Sequence, residues 1–178
     1  NKQLVAGLQA EGCNALGLSG ADGNVVTARR RAPEPVDYGF VGDIERVDDA
    51  LLERLLEAGL TPVFPALMHG TLLNCNADGV ATALATALAR RMPTDLVFCF
   101  EKRGVLRNPD DEGSVIPEIT ADDFAALRAE GVVSKGMLPK IEQALKAVEA
   151  GVRSVVICSA DHLDEPSGTV IRRRVAEQ

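Results

Sequence analysis

Two stretches of this sequence place polar groups where a helix is about to begin. Leu72-Leu73-Asn74-Cys75-Asn76-Ala77-Asp78 runs into a helical pattern of small residues from Gly79 to Ala89. Much later, Lys135-Gly136-Met137-Leu138-Pro139-Lys140 opens a second helix. The first-turn N–H groups of a helix have no partner inside it, and the helix dipole adds roughly half a positive charge there. Such an end is a ready site for anions, phosphate above all. The first stretch supplies two amides and a carboxylate, the second a glycine and a lysine. Their pairing in one chain points to phosphoryl transfer, with both helix ends aimed at one reaction.

That chemistry needs two anions held in line and the charge on the moving group neutralised. Lys140 suits the second task. A lysine at a helix start meets a dipole that is already positive. A bound phosphate would give it a reason to be there; the alternative is a solvent-exposed lysine, and residue pattern alone weighs the two equally. Asp78 could act as a base, a metal ligand or only a helix cap. Asn74 could bind a substrate carboxylate or end a strand, and Asn76 could bind substrate or serve structure alone. Phe100-Glu101-Lys102-Arg103-Gly104 follows a strand, where α/β folds place ligands. Glu101 and Gly104 are therefore nucleotide candidates, with Gly136 and Met137 at the second helix start. No G-x-x-x-x-G-K-[ST] occurs, so this is not a P-loop chain. His69, His162 and the cysteines complete no metal-binding spacing, and no metal ligand is assigned.

The elements that must carry these residues alternate between helical patterns and short apolar runs, as in an α/β fold. Asn1 lies inside a helical pattern with Leu4, Val5 and Leu8 on one face and Gly12 as its stop. Residues 15–18 and 24–28 read as strands joined by a hairpin turn, Gly20-Ala21-Asp22-Gly23. Asp48 or Asp49 caps a helix bearing Leu51, Leu52, Leu55 and Leu56, with Gly59 beyond its end. Residues 60–64 and 96–100 are buried strands. Asn76 or Asp78 caps a helix lined by Val80, Leu84 and Leu88. Thr120 with Asp123 starts a further helix in the manner of a capping box. Ile141, Leu145 and Val148 mark the core face of the helix near Lys140. Residues 152–158 and 169–171 close the chain as strands. Pro93 suggests a boundary, giving domains 1–92 and 93–178.

The chain has 178 residues, 46% of them hydrophobic and 25% charged, with a net charge of −7. That is enough to bury a real core. The acidic balance argues against nucleic-acid binding, which needs a basic face. Arg29-Arg30-Arg31 and Arg172-Arg173-Arg174 read as solvated charge at strand ends. No apolar run is long enough to span a membrane. Cys13, Cys75, Cys99 and Cys158 form no C-x-x-C pair and read as buried, reduced thiols of a cytoplasmic protein.

Four motifs in order give a resemblance over nearly the whole chain. Asn74-Cys75-Asn76-Ala77-Asp78 resembles N-x-N-A-D, and Gly136-Met137-Leu138-Pro139-Lys140 resembles G-M-x-x-K, both of the amino acid kinase family and its acetylglutamate kinases. Gly39-Phe40-Val41-Gly42-Asp43 resembles their G-x-V-G-[DE], and Ser167-Gly168-Thr169-Val170-Ile171 their closing G-T-x-I. The resemblance implies a three-layer α/β/α sandwich with a mainly parallel central sheet. It also implies an acyl-glutamate-binding and dimerisation domain followed by a nucleotide domain, and a cytoplasmic homodimer. The reaction it implies passes the γ-phosphoryl group of ATP, with Mg2+ held mainly by the nucleotide, to the side-chain carboxylate of N-acetyl-L-glutamate or another N-acylglutamate such as N-succinylglutamate. That step belongs to arginine biosynthesis. Lys140 would be the transition-state cation and Asp78 the residue that orients the phosphate-binding lysines. Asn74 would hold the substrate's α-carboxylate. Alternatives are another carboxylate or carbamate kinase of the family, or a non-catalytic nucleotide-binding module.

The sequence also departs from the family. Most relatives carry a small hydroxylated residue and then Asp where this chain has Phe100 and Glu101. The family's phosphate-gripping lysine, two glycine-rich turns and substrate-carboxylate arginine are not found. They are expected in a segment preceding Asn1. The stretch from Val63 to Asn74 is shorter than the family's hairpin there.

Overall fold

The computed structural model describes residues 1–132, 137–163 and 168–173. The chain folds as two compact units, Asn1–Arg91 and Met92–Gln178.

In the first unit, helix α1 (Lys2–Ala10) leads into strand β1 (Ala15–Gly17). Strands β2 (Val26–Arg30) and β3 (Gly42–Val47) pair antiparallel, with a register shift between Thr27 and Ala28. Helix α2 (Asp49–Glu57) follows, and then β4 (Thr61–Val63), which pairs parallel with β1. The short strands β5 (Leu67–Met68) and β6 (Leu73–Asn74) form a tight hairpin that delivers the chain to helix α3 (Ala77–Leu88). Val25, Val26, Ala28, Leu52, Met68, Leu73, Cys75 and Val80 form the buried core, with Leu84 and Leu88 packed on it.

The second unit is a four-stranded sheet in the order β7 (Asp95–Phe100), β9 (Ser154–Ser159), β10 (Thr169–Ile171), β8 (Glu118–Ile119). The β7/β9 and β10/β8 pairs are parallel and β10/β9 is antiparallel. Helices α4 (Ala121–Ala129) and α5 (Leu138–Glu149) cover it. Val155, Ile157, Ile171 and Ile119 of the sheet are buried, as are Phe124 and Leu127 of α4 and Ile141, Ala144, Ala147 and Val148 of α5. Nothing described here forms a helix long and apolar enough to cross a membrane.

Local chemistry explains the starts of α2, α3 and α4. Asp48 caps α2 by accepting from the Leu51 N–H at 3.0 Å. Thr120 and Asp123 form a complete capping box at α4. Four expectations change. Gly20–Gly23 is not a hairpin turn, because β1 pairs with β4 and β2 with β3. A single 3-10 turn, Asp22–Asn24, occupies the place, tied down by Asp22 accepting from the N–H and hydroxyl of Ser19. The stripe of α1 is not buried: Leu4 is 58% exposed, and the helix has no buried residue where it packs on β1. On α5 the core face runs through Ala144 and Ala147, while Leu145 is half-buried. Cys99 is exposed, on the open side of β7 with Val97, whereas Cys75 and Cys158 are buried.

The arginine runs prove to be anchored charge. Arg30 pairs with Asp37 at 3.1 Å and lies over the Phe40 ring; Arg31 pairs with Asp43 and lies over Tyr38. Arg172 pairs with Glu118, and Arg173 donates to the Glu149 carbonyl. Arg174 lies outside the described residues.

Candidate active site

The first unit presents its candidates on the β6–α3 junction. The hairpin that leads there turns through two consecutive non-glycine residues in the left-handed region, Thr71 (φ 66°) and Leu72 (φ 56°). Residues held in that region cost about 1–3 kcal/mol each and collect at functional sites. Asn74 ends β6 with its side chain exposed, and its N–H donates to the Phe40 carbonyl at 2.8 Å. Val41 bridges the same residue, so the Gly39–Asp43 motif fixes the backbone of Asn74. Cys75 then points into the core, where burial pushes its thiol up from the ordinary range. Asn76 caps α3: its side-chain oxygen accepts from the Gly79 N–H at 2.9 Å. Asp78 lies in the first turn, half-buried, with its carbonyl accepting from the Thr82 hydroxyl at 2.8 Å. Asn74, Asn76 and Asp78 thus share one helix start, and the cap belongs to Asn76 rather than Asp78.

The second unit gathers the end of β7 and the start of α5. Phe100 is the last residue of β7, in register with Ser159 of β9. Met137 is the N-cap of α5, half-buried, with no side-chain cap bond. Pro139 has no N–H, and the Lys140 N–H donates to the Met137 carbonyl at 3.1 Å. The first turn carries no acidic residue, so the positive end of the dipole is left uncompensated by its own side chains. The Lys140 ammonium sits 3.9 Å from the centroid of the Phe100 ring. Lys135 and Gly136, also singled out by sequence, lie outside the described residues, as does Ser167.

Beyond Phe100 the chain enters a loop. Glu101 is exposed, and Lys102 pairs with Glu112 at 3.2 Å. Gly104 is buried, and a Cβ there would sit 2.8 Å from the Thr169 hydroxyl and 3.0 Å from Val115. Its reason for being glycine is therefore this close packing. Thr169, fully buried, accepts from the Val105 N–H at 2.8 Å and donates to the Ile116 carbonyl at 2.7 Å. The preceding Gly168 (φ 130°) leaves a Cβ only 2.7 Å from the Ile157 carbonyl oxygen. The closing G-T motif thus fastens both ends of the loop after β7 to the sheet. Sequence reasoning gave Thr169 no such role. It also noted Phe100 only as a departure from the family, with no sign of its contact to Lys140.

Among the described residues no group of three or more His, Cys, Asp or Glu side chains is gathered to hold a metal.

Comparison with known proteins places this geometry. The model of the amino acid kinase family matches residues 1–159. An acetylglutamate kinase of Phocaeicola vulgatus is 49% identical over 176 residues, covering 97% of this chain and 68% of that protein. Among solved structures, smu.665 from Streptococcus mutans UA159 superposes with a TM-score of 0.77 at 32% identity, covering 96% of this chain and 66% of that one. The N-acetylglutamate synthase of Neisseria gonorrhoeae shares the fold, with a TM-score of 0.81 at 23% identity, over 98% of this chain and 41% of that one. The α/β class and the amino acid kinase-like fold expected from the motifs are borne out. The chain belongs to the amino acid kinase family, on its acetylglutamate kinase branch.

Proposed function

We propose that this chain carries out ATP-dependent phosphorylation of the side-chain carboxylate of N-acetyl-L-glutamate, a step of arginine biosynthesis. The observation that carries the reading is the 49% identity to an acetylglutamate kinase along nearly the whole chain. The two helix starts support it. The acceptor carboxylate is ionised at neutral pH, so no base is needed. Its oxygen forms a bond to the γ-phosphorus as the bond to the bridging oxygen breaks, giving an acyl phosphate and ADP.

In this reading the first unit binds the acyl-glutamate. Asn74 receives the α-carboxylate, and Asn76 serves the site through the helix start that it caps. Asp78 holds the phosphate-binding cations in place by charge-assisted hydrogen bonds. The second unit binds the nucleotide through Glu101, Gly104 and the Gly136–Met137 segment. Lys140 neutralises charge on the transferring group. Magnesium would be held mainly by the nucleotide, with no side chain of this chain assigned to it, and would supply further charge neutralisation. A cytoplasmic homodimer, formed through the first unit, completes the reading; sedimentation of the full-length protein tests the dimer.

ADP release by the full-length protein with N-acetyl-L-glutamate, N-succinyl-L-glutamate and L-aspartate tests the function. Turnover on N-acetyl-L-glutamate is expected, lost in Lys140→Ala. Turnover confined to another acceptor, or none at all, would overturn it.

A further inference from the structure

We infer that Phe100 is a positioning residue for Lys140, holding its ammonium against the ring face at the start of α5. The inference rests on the role proposed for Lys140 and adds a residue to which that role gives no part.

The contact is close. A cation is attracted to an aromatic face out to about 6 Å, and here Nζ lies 3.9 Å from the centroid. Both ends of the contact are built on rigid elements. Phe100 ends a six-residue strand that is paired along its length with β9. Lys140 is one residue before Ile141, which is fully buried against the sheet. Between these anchors lies the flexible four-carbon stem of the lysine, and the ring helps to hold its end.

A ring holds an ammonium in a different way from a carboxylate. It attracts the ammonium through its quadrupole without cancelling the formal charge that a transferring phosphoryl group needs. The ammonium carries three N–H donors, and a face-on contact engages one side of it. The position itself is telling: it is the C-terminal end of a parallel strand, where α/β folds bind ligands and where a large apolar ring buries little. Phe100 is only half-buried there.

The test is a mutant cycle in the full-length protein with ATP and N-acetyl-L-glutamate. Phe100→Leu should lower kcat roughly 3- to 30-fold, the range expected for a cation–π contact, and leave KM for N-acetyl-L-glutamate within about twofold. Phe100→Tyr, which keeps the ring, should hold kcat within about threefold of the parent. In a Lys140→Ala background, Phe100→Leu should cost nothing further. Three results would each overturn the inference: an unchanged kcat in Phe100→Leu, an equal loss in Leu and Tyr variants, or a loss by Phe100→Leu that persists undiminished without Lys140. The Lys140→Ala single variant separates the two levels. Full turnover there removes the role of Lys140 itself, whatever Phe100 does.

Discussion

The starts of α3 and α5 are built from the same physics and finished in opposite ways. At α3 the chain answers its own dipole. Asn76 accepts a first-turn N–H, and Asp78 puts a negative charge beside the positive end. At α5 the cap position holds Met137, no acidic side chain lies in the first turn, and Lys140 adds positive charge. A helix needing only to be stable would be finished like α3. The α5 start forgoes about 1 kcal/mol of capping and roughly 0.3–1 kcal/mol of dipole compensation. An arriving anion restores both. The difference fits the roles proposed for the two helix starts, α3 stabilised by its own side chains and α5 open to negative charge from outside.

Exchange of charge should break this contrast most sharply. Lys140→Ala is expected to cut kcat by about 10²–10³ with the fold intact, checked by steady-state kinetics beside circular dichroism. Asp78→Asn keeps the shape of the α3 start and removes its charge. Its turnover should fall by roughly 10²-fold through misplaced cations, with an unchanged melting curve. Asn76→Ala should cost about 1 kcal/mol in urea denaturation, because it removes a side-chain cap that α5 does not possess.

The smallest effect sharpens the picture away from both sites. Arg153 and Ser154 bond the Asp95 carboxylate at the start of β7, and Arg153 above all holds its pKa at about 2, below the ordinary 3.8. A carboxylate with a depressed folded-state pKa stabilises the protein above its unfolded value, and the gain is lost as pH falls through the folded one. Stability should therefore decline between about pH 4 and pH 2. The pair is solvent-exposed, so screening keeps the loss to about 1 kcal/mol at most. Acid titration of the melting temperature, compared with Asp95→Asn, reads it.

Features that depend on neighbours in the chain were legible in the sequence. The capping box of Thr120 and Asp123, the Asp48 cap and the strand at residues 169–171 all follow from residues within a few positions of each other. Features set by distant pairing were not. Two strand-like runs around Gly20–Gly23 read as a hairpin because nothing local says that the partner of β1 is β4. Alternation along β7 did not reveal that Cys99 faces outward, because a strand's two faces are told apart only by what packs on them. At the site, the motifs marked Asn74, Asp78 and Lys140, but not the ring beneath Lys140. Phe100 and Lys140 meet only because a strand end and a helix start are brought together by the sheet. The one available signal was Phe100 standing where relatives carry a small hydroxylated residue.

The buried hydroxyl of Thr169 has a consequence for how this chain can vary. It holds Val105 and Ile116 at the two ends of one loop, and a Leu106–Val115 bridge closes the neck just beyond. Beyond it lies a tip, closed by the Arg107 N–H donating to the Ser114 carbonyl at 2.9 Å and tied back by the Lys102–Glu112 pair. Lengthening a loop whose ends are already pinned adds only the slow logarithmic entropy of closure, about 0.6 kcal/mol per doubling. Insertions at the tip should therefore cost little beyond its own turn and the Lys102–Glu112 pair, whereas exchange of Gly104 or Thr169 should loosen the neck. The loop after β7 is a place where this scaffold can accept new sequence and keep its sheet.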